Sequence, residues 1–357
     1  MRRNTLVYGL LALAAGALAA ACSPASSPSA WEVQNPIEPL PAPPLGITST
    51  FSELKDPPTP ARVRLGRWLY FDARLSANHR ISCATCHIPA DGFSMRTAVA
   101  TGIDGRKGTR KSPSFENEAW TLAPFFFWDG RAASLEEQAL GPIANPVEMG
   151  NTHAHMVQTV ASIRGYAPYF QEAFGTPGVT AERVARAIAD YERTVMSGNS
   201  PYDRWRLQHD ESAVSASVKR GYALFFGKAA CNQCHLGQNF TDSRFHNIGV
   251  GWNPAAKTFA DEGRYAVTHQ EADRGAFKTP GLRDVALHPP YMHDGSLKSL
   301  EEVVDHYNQG GDPNPYQDPR IRPLHLTDQE VHDLVAMMEA LTGGTRTGTR
   351  VITAFPQ

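Results

Sequence analysis

Cysteine is scarce in this chain, at five in 357 residues, and four of the five fall in two copies of one pentapeptide. Charge of one sign is lacking as well. Thirty-four Lys and Arg stand against 36 Asp and Glu, a formal net of −2, which gives no electrostatic footprint for nucleic acid or an anionic membrane surface. Long apolar runs are missing except at the start, where Arg2-Arg3 precede an apolar stretch from Leu6 to Ala21. That stretch is short and rich in small residues, which argues against a membrane-spanning helix. No Gly-rich phosphate loop, hydrolase triad or zinc-type spacing stands out. Kinase-like, hydrolytic and zinc chemistries are therefore set aside.

The pentapeptide is Cys-x-x-Cys-His, present as Cys83-Ala84-Thr85-Cys86-His87 and Cys231-Asn232-Gln233-Cys234-His235. It is the attachment signature of a c-type haem, in which two thiols form thioethers to the vinyl groups and the histidine binds iron from one face. One copy would also suit a redox cysteine pair followed by a chance histidine. Two copies, with no other cysteine in the body of the chain, point to a dihaem protein.

An internal repeat says how the two haems differ. Asp129-Gly130 and Ser134-Leu135-Glu136-Glu137 match Asp294-Gly295 and Ser299-Leu300-Glu301-Glu302, 165 residues further on. Gly66-Arg67-Trp68-Leu69-Tyr70-Phe71 echoes Gly221-Tyr222-Ala223-Leu224-Phe225-Phe226 ahead of each haem motif, and Lys111-Ser112-Pro113 echoes Lys278-Thr279-Pro280. Such a repeat argues for two related domains, each around one haem. At the same offset Tyr307 falls on Pro142. Tyrosine ligates iron and proline does not, so one haem is expected closed on its second face and the other open.

The expected organisation is a signal peptide over 1–22, a Pro-rich segment over 23–50, and two mainly α, cytochrome c-like domains over 51–203 and 204–357. Leu18-Ala19-Ala20-Ala21-Cys22 resembles a bacterial lipobox, with Cys22 as the lipidated residue, although Ala19 stands where Leu is usual. Export is expected in either case. Pro36, Pro39, Pro41, Pro43 and Pro44 favour extended geometry, as a tether or as a strap on the surface. Helices are expected from Thr180 to Met196, from Leu300 to Tyr307, and from Thr327 to Leu341, where Thr327 and Glu330 form a capping box. The stretches 88–118 and 236–292 read as long loops ordered by packing on a cofactor. Met337 and Met338, mid-helix, read as core rather than as iron ligands.

Several segments together resemble the bacterial dihaem cytochrome c peroxidase/MauG family over nearly all of the mature chain. They are Ser82 to His87, Phe127-Trp128-Asp129-Gly130-Arg131-Ala132, Asn145-Pro146-Val147-Glu148-Met149, Phe245-His246-Asn247-Ile248-Gly249 and Pro290-Tyr291-Met292-His293-Asp294-Gly295. The resemblance implies peroxide chemistry at the N-terminal haem and electron relay through the C-terminal one. It implies Glu148 as the proton-moving carboxylate, Gln138 as a hydrogen-bonding partner of peroxide or distal water, and Pro142 as the residue that keeps the iron face free. Trp128 is implied as a bridge between the haems, Tyr307 as the second ligand of the C-terminal haem, and Arg131 as a propionate partner. His306 competes with Tyr307 but points to a neighbouring helix face.

Departures from the family pattern matter. The removable histidine of the reductively activated peroxidases corresponds to Ile103, and no histidine occurs between His87 and His153. The docking tryptophan of MauG corresponds to Ala229, so its action on methylamine dehydrogenase is not carried over. The side-chain amide that ligates the family's inter-haem calcium corresponds to Lys111, whose ammonium would take the place of that ion. The expected function is a periplasmic peroxidase or peroxide-dependent oxidase. It would draw electrons from a small cytochrome c, a cupredoxin or a protein substrate, and touch a membrane only through a lipid anchor. The alternative is a non-catalytic dihaem electron carrier, for which two six-coordinate irons would be needed.

Overall fold

The computed structural model describes residues 27–357. The signal segment and Cys22 lie outside the described residues. Nine helices of eight or more residues are present among those described: α1 Pro60–Phe71, α2 Leu135–Ala144, α3 His153–Ser162, α4 Ala167–Phe174, α5 Ala181–Arg193, α6 Pro201–Gln208, α7 Ala216–Phe226, α8 Leu300–Gln309 and α9 Asp328–Glu339. Strands are confined to three antiparallel pairs of two residues each. The chain is mainly α.

The repeat seen in the sequence has a physical cause at each matching element. α1 starts at Thr59, whose side chain accepts from Arg62 N–H, with Pro60 at the first helical position. It packs on α5 as α7 packs on α9. Gly66 and Gly221 sit at these two crossings. A Cβ at Gly66 would lie 1.7 Å from the Ala187 carbonyl oxygen, and one at Gly221 would lie 1.9 Å from that of Asp333. Only glycine lets the two backbones approach so closely.

The Ser-Leu-Glu-Glu elements are helix starts. Ser134 accepts from Glu137 N–H and Ser299 from Glu302 N–H, while each glutamate carboxylate reaches back to the residue before the cap, Ala133 or Lys298. Such reciprocal capping satisfies orphan donors of the first turn. Thr327 and Glu330 form the expected capping box of α9.

Two large cores result. The first gathers Leu65, Trp68 and Leu69 of α1 with Ile143 of α2 and Val184, Ile188 and Tyr191 of α5, all fully buried. Each buried Leu or Ile contributes roughly 1.5–3 kcal/mol. The second gathers Phe225, Val304, Leu334, Met337 and Met338. Both methionines are thus core residues.

Several connections cross between the halves. Residues 345–357 return to the first core: Ser197 pairs with Arg346, Ile352 is 3 % exposed, Tyr191 Oη donates to Gly348 O at 2.7 Å, and Gly165 N–H donates to Gln357 O at 2.7 Å. Residues 35–50 of the Pro-rich segment run as a strap over both halves. Asn199 N–H donates to Leu45 O (2.7 Å), Arg283 to Gly46 O (3.1 Å) and Trp120 Nε1 to Thr50 O (3.1 Å). The long loops carry little beyond single helical turns, and their contacts run across the molecule. Lys111 N–H donates to His293 O and Lys278 N–H to Trp128 O, each at 2.8 Å. These are matching positions of the repeat, exchanged between its copies.

Candidate functional site

Each Cys-x-x-Cys-His motif opens as one helical turn, Cys83–Cys86 and Cys231–Gln233. His87 Nδ1 lies 3.0 Å from Phe93 O, and His235 Nδ1 lies 2.9 Å from Phe240 O. A ring nitrogen facing a carbonyl must carry the proton, so Nε2 is left as the free ligand atom in both. Burial also lowers the pKa of both histidines, keeping each imidazole neutral as ligation requires. None of the four motif cysteines is in a disulfide. Burial pushes Cys86 up to about 11 and Cys231 to about 12.

A cavity of about 640 Å³ adjoins the first motif. Cys83, Cys86 and His87 line it together with Trp128, Gln138, Pro142 and Glu148, and the second half closes it through Pro280, His288 and Tyr291. Its volume falls in the range of cofactor sites. Two thiols, a histidine with its outer nitrogen tied back, and a large apolar hollow fit a covalently held haem.

On α2, Pro142 removes a backbone donor and its own carbonyl accepts from Met149 N–H at 3.2 Å. The chain then turns so that Asn145 Nδ2 donates to Glu148 Oε1 at 2.7 Å. Burial raises the Glu148 pKa against the lowering effects of Arg131 and Asn145. The backbone behind it is pinned, since Glu148 O accepts from Ile103 N–H at 2.8 Å. Ile103 itself is 5 % exposed and packs on Gly150. Arg131 pairs with Asp129 at 3.0 Å and covers the Phe127 ring at 3.6 Å.

The second motif is arranged differently. Tyr307 on α8 stands beside Cys231 and Cys234; burial, then these two thiols, raise its pKa. His306 turns away, its Nε2 lying 2.9 Å from Ile248 O. Ala229 is buried in the second core. Lys111, 5 % exposed, donates through Nζ to Met95 O. Among the described residues one further cluster has metal-ligand spacing, Cys234 with Asp242 and His246, but Cys234 belongs to the haem motif. Sequence reasoning missed Asn145 as the partner of Glu148, and it missed Glu192, a buried acid in the first cavity. Asn145 stood within a motif already singled out. Glu192 lay on a helix read only for its apolar face.

The profile of the di-haem cytochrome c peroxidases matches residues 60–212. The methylamine utilization protein MauG of Methylorubrum extorquens is 45% identical over 287 residues, 80% of this chain and 79% of that protein. The chain belongs to the dihaem cytochrome c peroxidase/MauG family. The cytochrome c551 peroxidase of Nitrosomonas europaea is 36% identical over 344 residues, 96% of this chain and 93% of its own. Among solved structures, a MauG-like protein associated with microbial copper homeostasis superposes with a TM-score of 0.74 at 31% identity, covering 85% of this chain and 94% of that one. This family member is a mainly α, cytochrome c-like dihaem peroxidase. It is an oxidoreductase acting on peroxide, and the family implies two c-type haems.

Proposed function

We propose that the chain is a periplasmic dihaem c-type peroxidase or oxidase. It reduces hydrogen peroxide at the N-terminal haem with electrons relayed through the C-terminal haem, and its ligand set is MauG-like. The observation that carries this reading is that Glu148, Gln138 and Pro142 line the same cavity as Cys83, Cys86 and His87. Cys83 and Cys86 would hold the first haem by thioethers with His87 on its iron, within residues 51–203. Cys231 and Cys234 would hold the second within 204–357, with His235 and Tyr307 as its iron ligands. The haems, when bound, supply the two-electron reduction of peroxide.

The residues of the chain supply the rest. Glu148 takes the proton from the nearer peroxide oxygen and delivers it to the farther one, so that water leaves; its raised pKa suits a group that must both accept and give. Gln138 orients peroxide by hydrogen bonding. The Pro142 side chain offers no atom that could ligate iron. Trp128, between the halves, provides the electron path. The Lys111 ammonium, bonded to Met95 O, occupies the position of the family's calcium ligand and supplies positive charge without coordination.

Cys22 would carry a lipid anchor. The donor is a small cytochrome c, a cupredoxin or an oxidisable side chain of a partner protein; the peroxidase relatives, named for cytochrome c551, favour the first. A non-catalytic electron carrier is disfavoured because such a carrier needs both iron faces closed, and Pro142 and Ile103 close nothing. Holoprotein given hydrogen peroxide and a reduced small cytochrome c should oxidise two donors per peroxide. Absence of peroxide-dependent oxidation of any one-electron donor would overturn the reading.

A further inference from the structure

The last turn of α5 carries a carboxyl that the proposed chemistry does not use. Glu192 is 6 % exposed and lines the first cavity with Cys83. Its Oε2 is buried without a hydrogen-bond partner. A buried acid normally finds a cation or a donor, because an isolated charge in an apolar interior is costly.

The surroundings explain why this one finds none. Arg193, the adjacent residue, is already bonded to Glu136 of α2 at 2.9 Å and to Asp190 at 3.1 Å. Glu118, on the turn Glu118–Trp120, is a like charge paired with Lys278 at 3.2 Å. Tyr70 of α1, Tyr191 of α5 and the Cys83 sulfur, neutral as thiol or thioether, face it as uncharged groups. Burial, opposed by Arg193 and assisted by Glu136 and Glu118, pushes Glu192 up to about 8. The charge most able to alter its protonation is thus that of whatever fills the cavity.

We propose that Glu192 is a redox-linked proton store for the first haem, binding one proton when that haem gains an electron and releasing it when the electron leaves. The proposal rests on a haem in the first cavity, as in the proposed function. The balance is simple. A ferric c-type centre carries one positive charge more than a ferrous one. The positive form stabilises the Glu192 carboxylate, and the reduced form lets the carboxylate take a proton from solvent. One electron arrives from the one-electron donor, one proton arrives on a carboxylate oxygen, and no other bond changes. On reoxidation Glu192 releases that proton, one of the two that conversion of hydrogen peroxide to two waters consumes.

The sign of the effect follows. Oxidation lowers the Glu192 pKa and reduction raises it, so the first haem's potential falls with rising pH between the two values and levels off outside them. The test is potentiometric titration of the holoprotein with chemical reductants on both sides of pH about 8, together with redox-difference infrared spectra. The wild type should show a pH-dependent potential at the first haem and a protonated-carboxyl band that grows on reduction. Glu192→Gln, with haem content verified as two per chain, should lose both the slope and the band. Glu192→Asp should keep a shifted band. An unchanged slope in Glu192→Gln, or no carboxyl band in the wild type, overturns the proposal. If the Gln variant fails to fold, the shift of the band in Glu192→Asp assigns it, and a band left unshifted by that substitution overturns the proposal. No peroxide enters this measurement, so failure of peroxide turnover would count against the proposed function alone.

Discussion

Trp128 and His293 are joined through a single residue. The Trp128 indole N–H donates to Lys111 O at 2.9 Å, and the N–H of the same Lys111 donates to His293 O at 2.8 Å. His293 in turn stacks on Phe277, with centroids 3.6 Å apart. Trp128 and His293 occupy equivalent places in the repeat, so the middle of the molecule is a near-symmetric contact between the two copies. An indole fixed in this way keeps one orientation, which is what a short electron path needs.

Replacing Glu148 with Gln should leave haem content and spectra intact and slow the reaction with peroxide by roughly a hundredfold or more, the scale of losing a general acid–base group. In the wild type the rate should fall as acidity protonates Glu148. Because burial raises this carboxyl, the fall should centre above pH 4.5. Stopped-flow mixing with peroxide across pH measures both, and unchanged kinetics in the variant would remove Glu148 from the mechanism.

As isolated, without reductive priming, the ferric protein should show one high-spin and one low-spin haem. The reason is local: Ile103 is buried with its N–H on Glu148 O, so the loop that would bring an imidazole brings an aliphatic side chain. Electron paramagnetic resonance of the resting protein reads this directly. Two low-spin signals would mean that another side chain closes the first haem.

Tyr307→Met should raise the potential of the second haem, because a neutral thioether stabilises the reduced iron where an anionic phenolate stabilises the oxidised one. Potentiometric titration of wild type and variant provides the comparison. Equal potentials would show that Tyr307 is not a ligand.

Gly66→Ala and Gly221→Ala should each destabilise the protein by about 1–3 kcal/mol or more, since the added methyl meets a carbonyl oxygen of the crossing helix and the helices must separate. Thermal unfolding of the holoprotein, with haem content as a second readout, measures the loss. Full stability in either variant would show that the crossing relaxes freely.

Much of this architecture is legible in the sequence because its signals are local. The haem pentapeptides, the Ser-Leu-Glu-Glu helix starts and the Thr327–Glu330 box each satisfy their hydrogen bonds within a few residues. The cavity-lining trio of Gln138, Pro142 and Glu148 follows from α2 and the turn after it. Glu192 escaped because periodicity assigns one apolar face to α5, whereas every residue from Ala187 to Glu192 is buried. Lys111 could be placed beside the joint, but its bond to Met95 O and its link to Trp128 depend on contacts across the molecule. No spacing rule encodes these. The same holds for the Pro-rich segment, for which the sequence left open a tether or a surface strap.

The return of residues 345–357 bears on the order in which the molecule is made. Ile352 belongs to the first core, and Gly348 and Gln357 accept bonds from Tyr191 and Gly165. Synthesis starts at the other end. The haem motif at 83–87 therefore emerges early, yet the half around it lacks part of its wall until residues 345–357 exist. A ribosome stalled near residue 340 would release a chain with both haem motifs written and the earlier half still open, and a nonsense codon there would damage the end of the molecule farthest from it in sequence.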